Sequence, residues 1–305
     1  MMANKKYLTI FLFILPAIIL GQAEVIFNGI SLNESLAEVT KKVKSISEKT
    51  KLISVDIPSF PLAEKKEDHL ICLNLKTKKG IVEKVVFTFA DNKLVYIEAR
   101  GNVYNVLGGE REEKAVNYLG YEIYIKERLF LKKKQDIAWV LNQEAMHVNL
   151  FTWENLYLIE KNQNSKKLSF SKKIPSFFKM GKSIDEIKPL LETNSNFINT
   201  QKLDGSDPNA QVQINCFGVS YLGFPRKAEA RFGDNKLNVV WILTAKAEED
   251  RIRKALIEQY GEPIFVNDSW EIFNNWQVGL RKDKPEVLLI KQELGLQYKS
   301  TLFKK

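Results

Sequence analysis

Few residues of this sequence have the types and spacing that catalysis or metal binding requires. Histidine, the side chain best suited to acid–base chemistry near neutral pH and a common metal ligand, occurs only as His69 and His147. The two lie far apart, neither belongs to a spaced metal-ligand pattern, and each stands beside strand-like residues. We therefore expect solvated or hydrogen-bonded strand histidines, and we predict no catalytic residue, no metal site and no cofactor.

Two short segments have a functional interpretation but fit a structural one better. Residues 218–223 (GVSYLG) place a serine among glycines, yet they lack the glycine two positions after the serine that a nucleophile elbow needs. Residues 204–209 (DGSDPN) offer calcium ligands, but Gly, Pro and Asn also form turns without a metal. Paired carboxylates that assemble only in the folded chain leave no sequence signal, so a carboxylate-dependent hydrolase stays open.

The tryptophans raise the possibility of a ligand-stacking surface. Most of them lie inside apolar, strand-like runs, where a role in the core is the commoner outcome. Trp276 differs, because it follows two asparagines and precedes Arg281, so it could line an exposed sheet face. If a binding site exists, we expect it near Trp276 and Arg281 or in the lysine-rich stretch described below.

The first residues have the organisation of a cleavable secretory signal peptide. Lys5 and Lys6 precede an uncharged apolar run, and residues 21–23 supply small side chains where a signal peptidase cuts. The run of about 14 residues is shorter than the roughly 20 that cross a bilayer, and neither cysteine lies at the cleavage site to carry a lipid. We predict cleavage after Ala23 and a periplasmic or extracellular protein that is neither lipid-anchored nor an integral membrane protein.

Composition is typical of a globular protein with a diffuse positive charge. Hydrophobic residues make up 45% and charged residues 27% of 305 residues, with a net charge of +9. These values are ordinary for a folded chain, and the length favours two domains. Most basic residues are lysine, whose hydrated point charge suits anionic surfaces better than shaped phosphate recognition. Together with export, this argues against nucleic acid as a partner.

The chain after the signal peptide repeats itself. A serine three residues before a glutamate, the spacing of a helix capping box, occurs at Ser31 and again at Ser183. The sequence FADNKL at residues 89–94 returns with one change at residues 232–237. Because Asp-Asn favours the left-handed backbone of tight turns, both segments predict the tip of a β-hairpin.

Helical and strand-like periodicity extends the repeat to whole units. Residues 248–260 predict a helix that ends at a glycine, and residues 110–119 predict its counterpart. Cys72 and Cys216 hold matching positions on strands of different units, so we expect two buried free thiols rather than a disulfide. Strand runs broken by single helices favour an α+β fold over a parallel doubly wound one.

The sequence thus predicts two tandem copies of a helix/antiparallel-sheet unit: helix, strands with a hairpin, helix, strands. The predicted organisation is a signal peptide at residues 1–23, a first α+β repeat domain at 24–160, a basic linker at 161–182 and a second α+β repeat domain at 183–305. Lys166, Lys167, Lys172 and Lys173 lie in the linker with phenylalanines and no acidic residue. The linker could bind an anionic lipid or polysaccharide surface, or its aromatics could pack on the second domain.

Three functions follow from these observations. The leading prediction is an exported, noncatalytic binding module of the cell envelope or secreted fraction, whose partner is an unknown protein or an anionic envelope surface. The alternatives are an exported carboxylate-dependent hydrolase acting on cell-wall or polysaccharide material, and an anionic surface- or lipid-binding protein that uses the lysine-rich linker. In architecture alone, such tandem units resemble exported inhibitor proteins and small outer-membrane assembly factors, a resemblance that assigns no residue roles.

Overall fold

The chain folds into two eight-stranded antiparallel sheets with helices, an α+β architecture. The structure, a computed structural model, describes residue 27 and residues 29–108, 113–159 and 171–304. The predicted signal peptide lies outside the described residues, as do Lys166 and Lys167. Within this part of the chain, no helix is long and apolar enough to cross a membrane.

The first sheet begins as a four-stranded meander. Its elements are α1 (Leu36–Val43), β1 (Lys49–Val55), β2 (Glu67–Thr77), β3 (Gly80–Ala90), β4 (Lys93–Arg100), α2 (Val103–Leu107), β5 (Val116–Tyr118), β6 (Tyr121–Tyr124), β7 (Leu129–Lys132), β8 (Ile137–Leu141) and α3 (Gln143–His147), with 3-10 turns at Lys133–Gln135 and Leu150–Thr152. The strands lie in the order β1-β2-β3-β4-β8-β7-β6-β5. The last four strands therefore add to the meander in reverse order.

The second sheet has the same plan. Its elements are α4 (Ile184–Thr193), β9 (Phe197–Lys202), β10 (Val212–Tyr221), β11 (Phe224–Gly233), β12 (Lys236–Leu243), a 3-10 turn at Lys246–Glu248, α5 (Glu249–Tyr260), β13 (Phe265–Val266), β14 (Trp270–Phe273), β15 (Val278–Arg281), β16 (Glu286–Ile290) and α6 (Gln292–Tyr298). The strand order is β9-β10-β11-β12-β16-β15-β14-β13, which matches the first sheet strand for strand. The two sheet units are therefore similar in topology.

The two predicted hairpin tips form. Asp91 and Asn92, between β3 and β4, have φ angles of 49° and 67°. Asp234 and Asn235, between β11 and β12, have φ angles of 49° and 59°. Two consecutive left-handed residues are what a two-residue hairpin turn requires, and Asp and Asn tolerate that backbone.

Helix α1 begins one turn later than predicted. The capping box predicted at Ser31 does not start the helix, since Asn33 has a left-handed φ of 72°. The box forms instead at Ser35, whose hydroxyl accepts from the Glu38 N–H while the Glu38 carboxylate accepts from the Ser35 N–H. In the second unit, Ser183 caps α4 as predicted.

The helix predicted over residues 110–119 is wrong. Residues Val116–Tyr118 form strand β5, and the helix of this connection is the short α2. The glycine interpreted as a helix end, Gly120, instead forms the β5–β6 turn with Leu119, and the two have φ angles of 82° and 50°. The helix predicted at residues 248–260 is confirmed as α5.

Each sheet packs on both faces. Helix α1 covers one face of the first sheet, where Cys72 is buried, and α4 and α5 cover the corresponding face of the second, where Cys216 is buried. Both cysteines are free, as predicted. Ile174 and Phe178 also pack into the second core, so the described end of the basic stretch docks on that unit.

The two units contact each other through aromatic rings. Phe224 of β11 lies 5.9 Å from Phe60 and 5.2 Å from Trp153, measured between ring centroids. Arg251 of α5 adds polar contacts, because its guanidinium donates to the carbonyls of Phe60 and Ala63 at 2.8 and 2.6 Å. These contacts fix the walls of the cleft described next.

Candidate functional site

A cleft of about 790 Å³ lies between the two units. The first unit contributes the β3–β4 hairpin tip and the beginning of α3, and the second unit contributes residues 245–246 and 283–285. Many of its side chains are polar or charged, among them Asp91, Lys93, Glu144 and Asp283. The cleft therefore exists only when both units are in place.

A more apolar groove of about 630 Å³ lies on the first unit. Val116 pairs with Ile123, and Ile123 pairs with Phe130, so the three side chains form one row across β5, β6 and β7. Met146 of α3 and Phe151 complete the lining, and Phe151 stacks on Phe130 with centroids 4.7 Å apart. Antiparallel pairing places directly opposite side chains on the same face, which creates this continuous apolar strip.

The groove and the cleft meet at Arg128, Gln143 and His147, which line both. Arg128 lies in the β6–β7 loop with a φ of 53°. Its backbone is fixed, because its N–H donates to the Ile125 carbonyl and its carbonyl accepts from the Leu141 N–H. Arg128 is a partly buried residue, and among the described residues its guanidinium makes no hydrogen bond or ion pair. A cationic side chain thus lies where the apolar groove opens.

His147 contributes a neutral ring to this junction. It ends α3 rather than lying in a strand, which corrects the prediction. Its Nε2 lies 3.5 Å from the Pro285 carbonyl of the other unit. Burial lowers the pKa of His147, and the positive charges of Lys284 and Lys227 add to that effect. The imidazole is therefore uncharged at neutral pH.

His69 lies in a buried polar chain on the first sheet. Its Nε2 is 2.6 Å from Glu67 Oε1, and its Nδ1 is 3.0 Å from Thr88 Oγ1. The Asn155 side chain donates to the same hydroxyl at 3.2 Å, and the Asn155 N–H donates to Glu98 at 2.6 Å. Carboxylate, imidazole and hydroxyl in this order resemble a nucleophilic triad. However, Thr88 is fully buried, so the chain is structural and His69 is the hydrogen-bonded strand histidine predicted.

Glu98 ends this chain in the core of the unit. It is fully buried and accepts from the Tyr96 hydroxyl and the Arg100 Nε, each at 2.8 Å. Burial raises the pKa of Glu98 to about 7, against the opposing effect of the Arg100 charge. The group is a buried acid that titrates near neutral pH.

Trp276 and Arg281 lie at opposite ends of β15. Trp276 forms the preceding turn with a φ of 67° and packs on Phe265 and Phe303, with centroids 5.5 and 5.8 Å apart. Arg281 pairs with Asp283 at 2.9 Å. The structure does not bring these two predicted residues together, and neither lines the groove or the cleft.

The two described lysines of the predicted basic site, Lys172 and Lys173, are exposed. Lys172 forms an ion pair with Glu258 of α5 at 3.0 Å. Lys173 is exposed next to it, and its N–H donates to the Ser171 hydroxyl. Lys166 and Lys167 lie outside the described residues, so the four lysines are not placed as a group.

Two carboxylates on the second sheet have pKa values that are shifted in opposite directions. Burial acts to raise the pKa of both Glu229 and Glu286, but Lys227 and Arg231 outweigh it at Glu229 and lower that pKa. At Glu286 the pKa stays raised, in part because of the Glu229 charge. Neither carboxylate lines the groove or the cleft. In the described ranges, no group of three or more His, Cys, Asp or Glu side chains is placed to hold a metal ion.

No protein-family model matches this chain, and comparisons with curated proteins and with solved structures gave no significant similarity. The function must therefore be argued from the site itself. Sequence reasoning did not single out Val116, Arg128 or Met146. Their proximity arises from the register of three short strands and the docking of α3, which the chain order does not reveal. The alternation of apolar residues across β6 and β7 was the available signal; the β5 residues had been predicted as part of a helix.

Proposed function

We propose that this protein is an exported, noncatalytic binding module, and that the groove and the adjoining cleft form its ligand site. The observation that carries the proposal is Arg128, a partly buried residue at the mouth of an apolar groove, whose guanidinium has no partner among the described residues. Ligand sites are typically concave and mainly apolar, with a few placed polar groups and volumes of roughly 300–1,000 Å³. The groove, at about 630 Å³, has these properties.

The hydrolase is the second candidate, favoured by the opposite pKa shifts of Glu229 and Glu286. Such a divergence is typical of acid and base pairs. Here both carboxylates are held in ion pairs, Glu229 with Lys227 at 2.8 Å and Glu286 with Lys284 at 3.2 Å, and neither lines the groove or the cleft. These contacts favour a structural role over catalysis.

Binding to anionic surfaces through the basic stretch remains a third candidate with its own test. Replacing Lys166, Lys167, Lys172 and Lys173 by Gln should abolish binding to anionic vesicles at low salt, since such attraction is electrostatic and screened by ions. Vesicle cosedimentation measures this. Unchanged binding would remove the basic stretch from consideration.

Export and tandem duplication belong to the same proposal. The matching strand order of the two sheets and their matching hairpin tips support two tandem copies of one unit. Export is tested by N-terminal sequencing of the protein from its native cells. The first residue should be Glu24, because the peptidase site precedes it. A protein that keeps residues 1–23 would contradict the signal peptide.

The ligand site is tested with a neutral fluorescent probe, N-phenyl-1-naphthylamine, which reports apolar sites. Val116→Asp places a charge on the apolar row at a residue that is 38% exposed, so the fold should survive. Val266→Asp is the matched control, because β13 is the counterpart of β5 and Val266 is 55% exposed outside the groove. The native protein and the control should bind the probe alike.

We expect Val116→Asp to weaken probe binding by about tenfold or more, since an apolar ligand would have to desolvate the new carboxylate. Thermal unfolding of both variants confirms that the fold is intact. Equal binding by the two variants, or no binding by the native protein, would contradict the proposed site.

A further inference from the structure

We infer that the ligand of this site is an aliphatic carboxylate, with its chain in the groove and its carboxylate on Arg128. This inference rests on the proposed function and adds the chemical class of the ligand. Two features of the site carry it: the apolar row that forms the groove, and the Arg128 guanidinium at its mouth, which no described residue pairs.

The groove suits a hydrocarbon chain better than a polar ligand. Its strip of Val116, Ile123 and Phe130 offers only apolar atoms, and burying hydroxyl groups there without hydrogen bonds would be costly. Met146, an unbranched and flexible side chain, also lines the groove and can adapt to a chain of variable shape. A sugar placed along this strip would leave the hydroxyls that face it unsatisfied.

The mouth of the groove suits an anion. The planar guanidinium of Arg128 matches a carboxylate in a two-bond geometry, and such charge-assisted pairs are stronger than hydrogen bonds between neutral groups. Two of the three acids that line the cleft are already engaged: Asp91 accepts three backbone N–H groups, and Asp283 is paired with Arg281. The third, Glu144, is exposed. Lys93 adds a second positive charge in the cleft.

A single carboxylate balances the charge of Arg128, whose guanidinium has no partner in the described part of the chain. A ligand that carries more negative charge would have to reach Lys93 in the cleft as well. We therefore commit to a single-chain carboxylate as the occupant.

The test uses the chain from residue 24 onward and displacement of the neutral probe. Octanoate, decanoate and dodecanoate are compared with the alcohols of the same length. Each added methylene should tighten the dissociation constant about fourfold until the groove is filled. Arg128→Gln should weaken carboxylate binding about tenfold or more and leave the alcohols unchanged, because only the charge-assisted hydrogen bonds are lost. The matched control is Lys126→Gln, an exposed cation in the same loop that lines neither cavity.

The outcomes separate this inference from the proposed function. If dodecanol displaces the probe as well as dodecanoate does, or if Arg128→Gln leaves carboxylate binding unchanged, the inference is wrong. The inference would also be wrong if the protein binds anionic vesicles and free dodecanoate does not compete for that binding, because the ligand would then lie in a membrane. In each of these cases the proposed site is still supported if the native protein binds the probe and Val116→Asp abolishes that binding. Failure of the probe itself to bind would remove both.

Discussion

Glu98 should make the stability of the protein fall as the pH rises toward neutrality. Burial raises its pKa from 4.5 to about 7, although Arg100 opposes this. The folded state therefore binds the Glu98 proton more tightly than the unfolded state does. The contribution of Glu98 protonation to the free energy of unfolding is fully present below the pKa of Glu98 in the unfolded state. It is lost as the pH rises through the pKa of Glu98 in the folded state. At about 1.4 kcal/mol per pH unit, the difference amounts to about 3 kcal/mol.

Glu98→Gln removes this titration, so the pH dependence of the difference between the two proteins isolates it. Denaturant unfolding of both is measured between about pH 4 and about pH 8. The free energy of unfolding of the native protein, relative to the variant, should decrease by about 3 kcal/mol across this range and then stay level. Comparing the two proteins removes contributions from other carboxylates. A difference that stays constant, or that increases with pH, would refute the buried, proton-retaining state of Glu98.

Two further predictions concern other buried groups. Arg226 and Glu248 form an almost fully buried ion pair, so Arg226→Met should lower the free energy of unfolding by about 3–5 kcal/mol. Lys172→Gln, which breaks an exposed ion pair, should change it by less than about 1 kcal/mol. Equal effects of the two substitutions in denaturant unfolding would contradict this prediction. Burial raises the pKa of Cys72 and of Cys216 to about 12. A thiol reagent should therefore modify neither in the folded protein and both in denaturant, and rapid labelling of the native protein would contradict their burial.

Features set by neighbouring residues were predictable from sequence, and those that depend on distant contacts were not. The hairpin tips at Asp91 and Asp234 follow from the backbone preference of Asp-Asn. The start of α1 did not follow, because a serine with a glutamate three residues on occurs both at Ser31 and at Ser35. A distant contact distinguishes them: Asn33 donates to the Leu94 carbonyl at 2.7 Å, which fixes the chain just before Ser35.

The same contact shows how the repeats align. Gly181 donates to the Leu237 carbonyl at 2.7 Å, in the place that Asn33 takes against Leu94 in the first unit. Both donors have a left-handed φ, 79° at Gly181 and 72° at Asn33. Matching the capping box at Ser183 with the one at Ser31 had placed the first unit's counterpart four residues too early, since the box forms at Ser35. Asn and Gly share the ability to adopt this backbone, which residue identity alone conceals.

The candidate site was the least predictable part. Trp276 was singled out for its polar neighbours, yet it packs on Phe303, which lies in the segment after α6. Arg128 was not singled out, because its significance depends on lacking a partner among the described residues at the point where β5–β7 and α3 converge. Neither property can be seen until the strand register and the docking of α3 are known.

A crystal structure of the chain from residue 24 onward, grown with saturating dodecanoate, tests the central claim most directly. We expect the hydrocarbon chain of dodecanoate to lie along Val116, Ile123 and Phe130, with its carboxylate within hydrogen-bonding distance of the Arg128 guanidinium. A groove that stays empty at saturation, or a carboxylate bound away from Arg128, would contradict it.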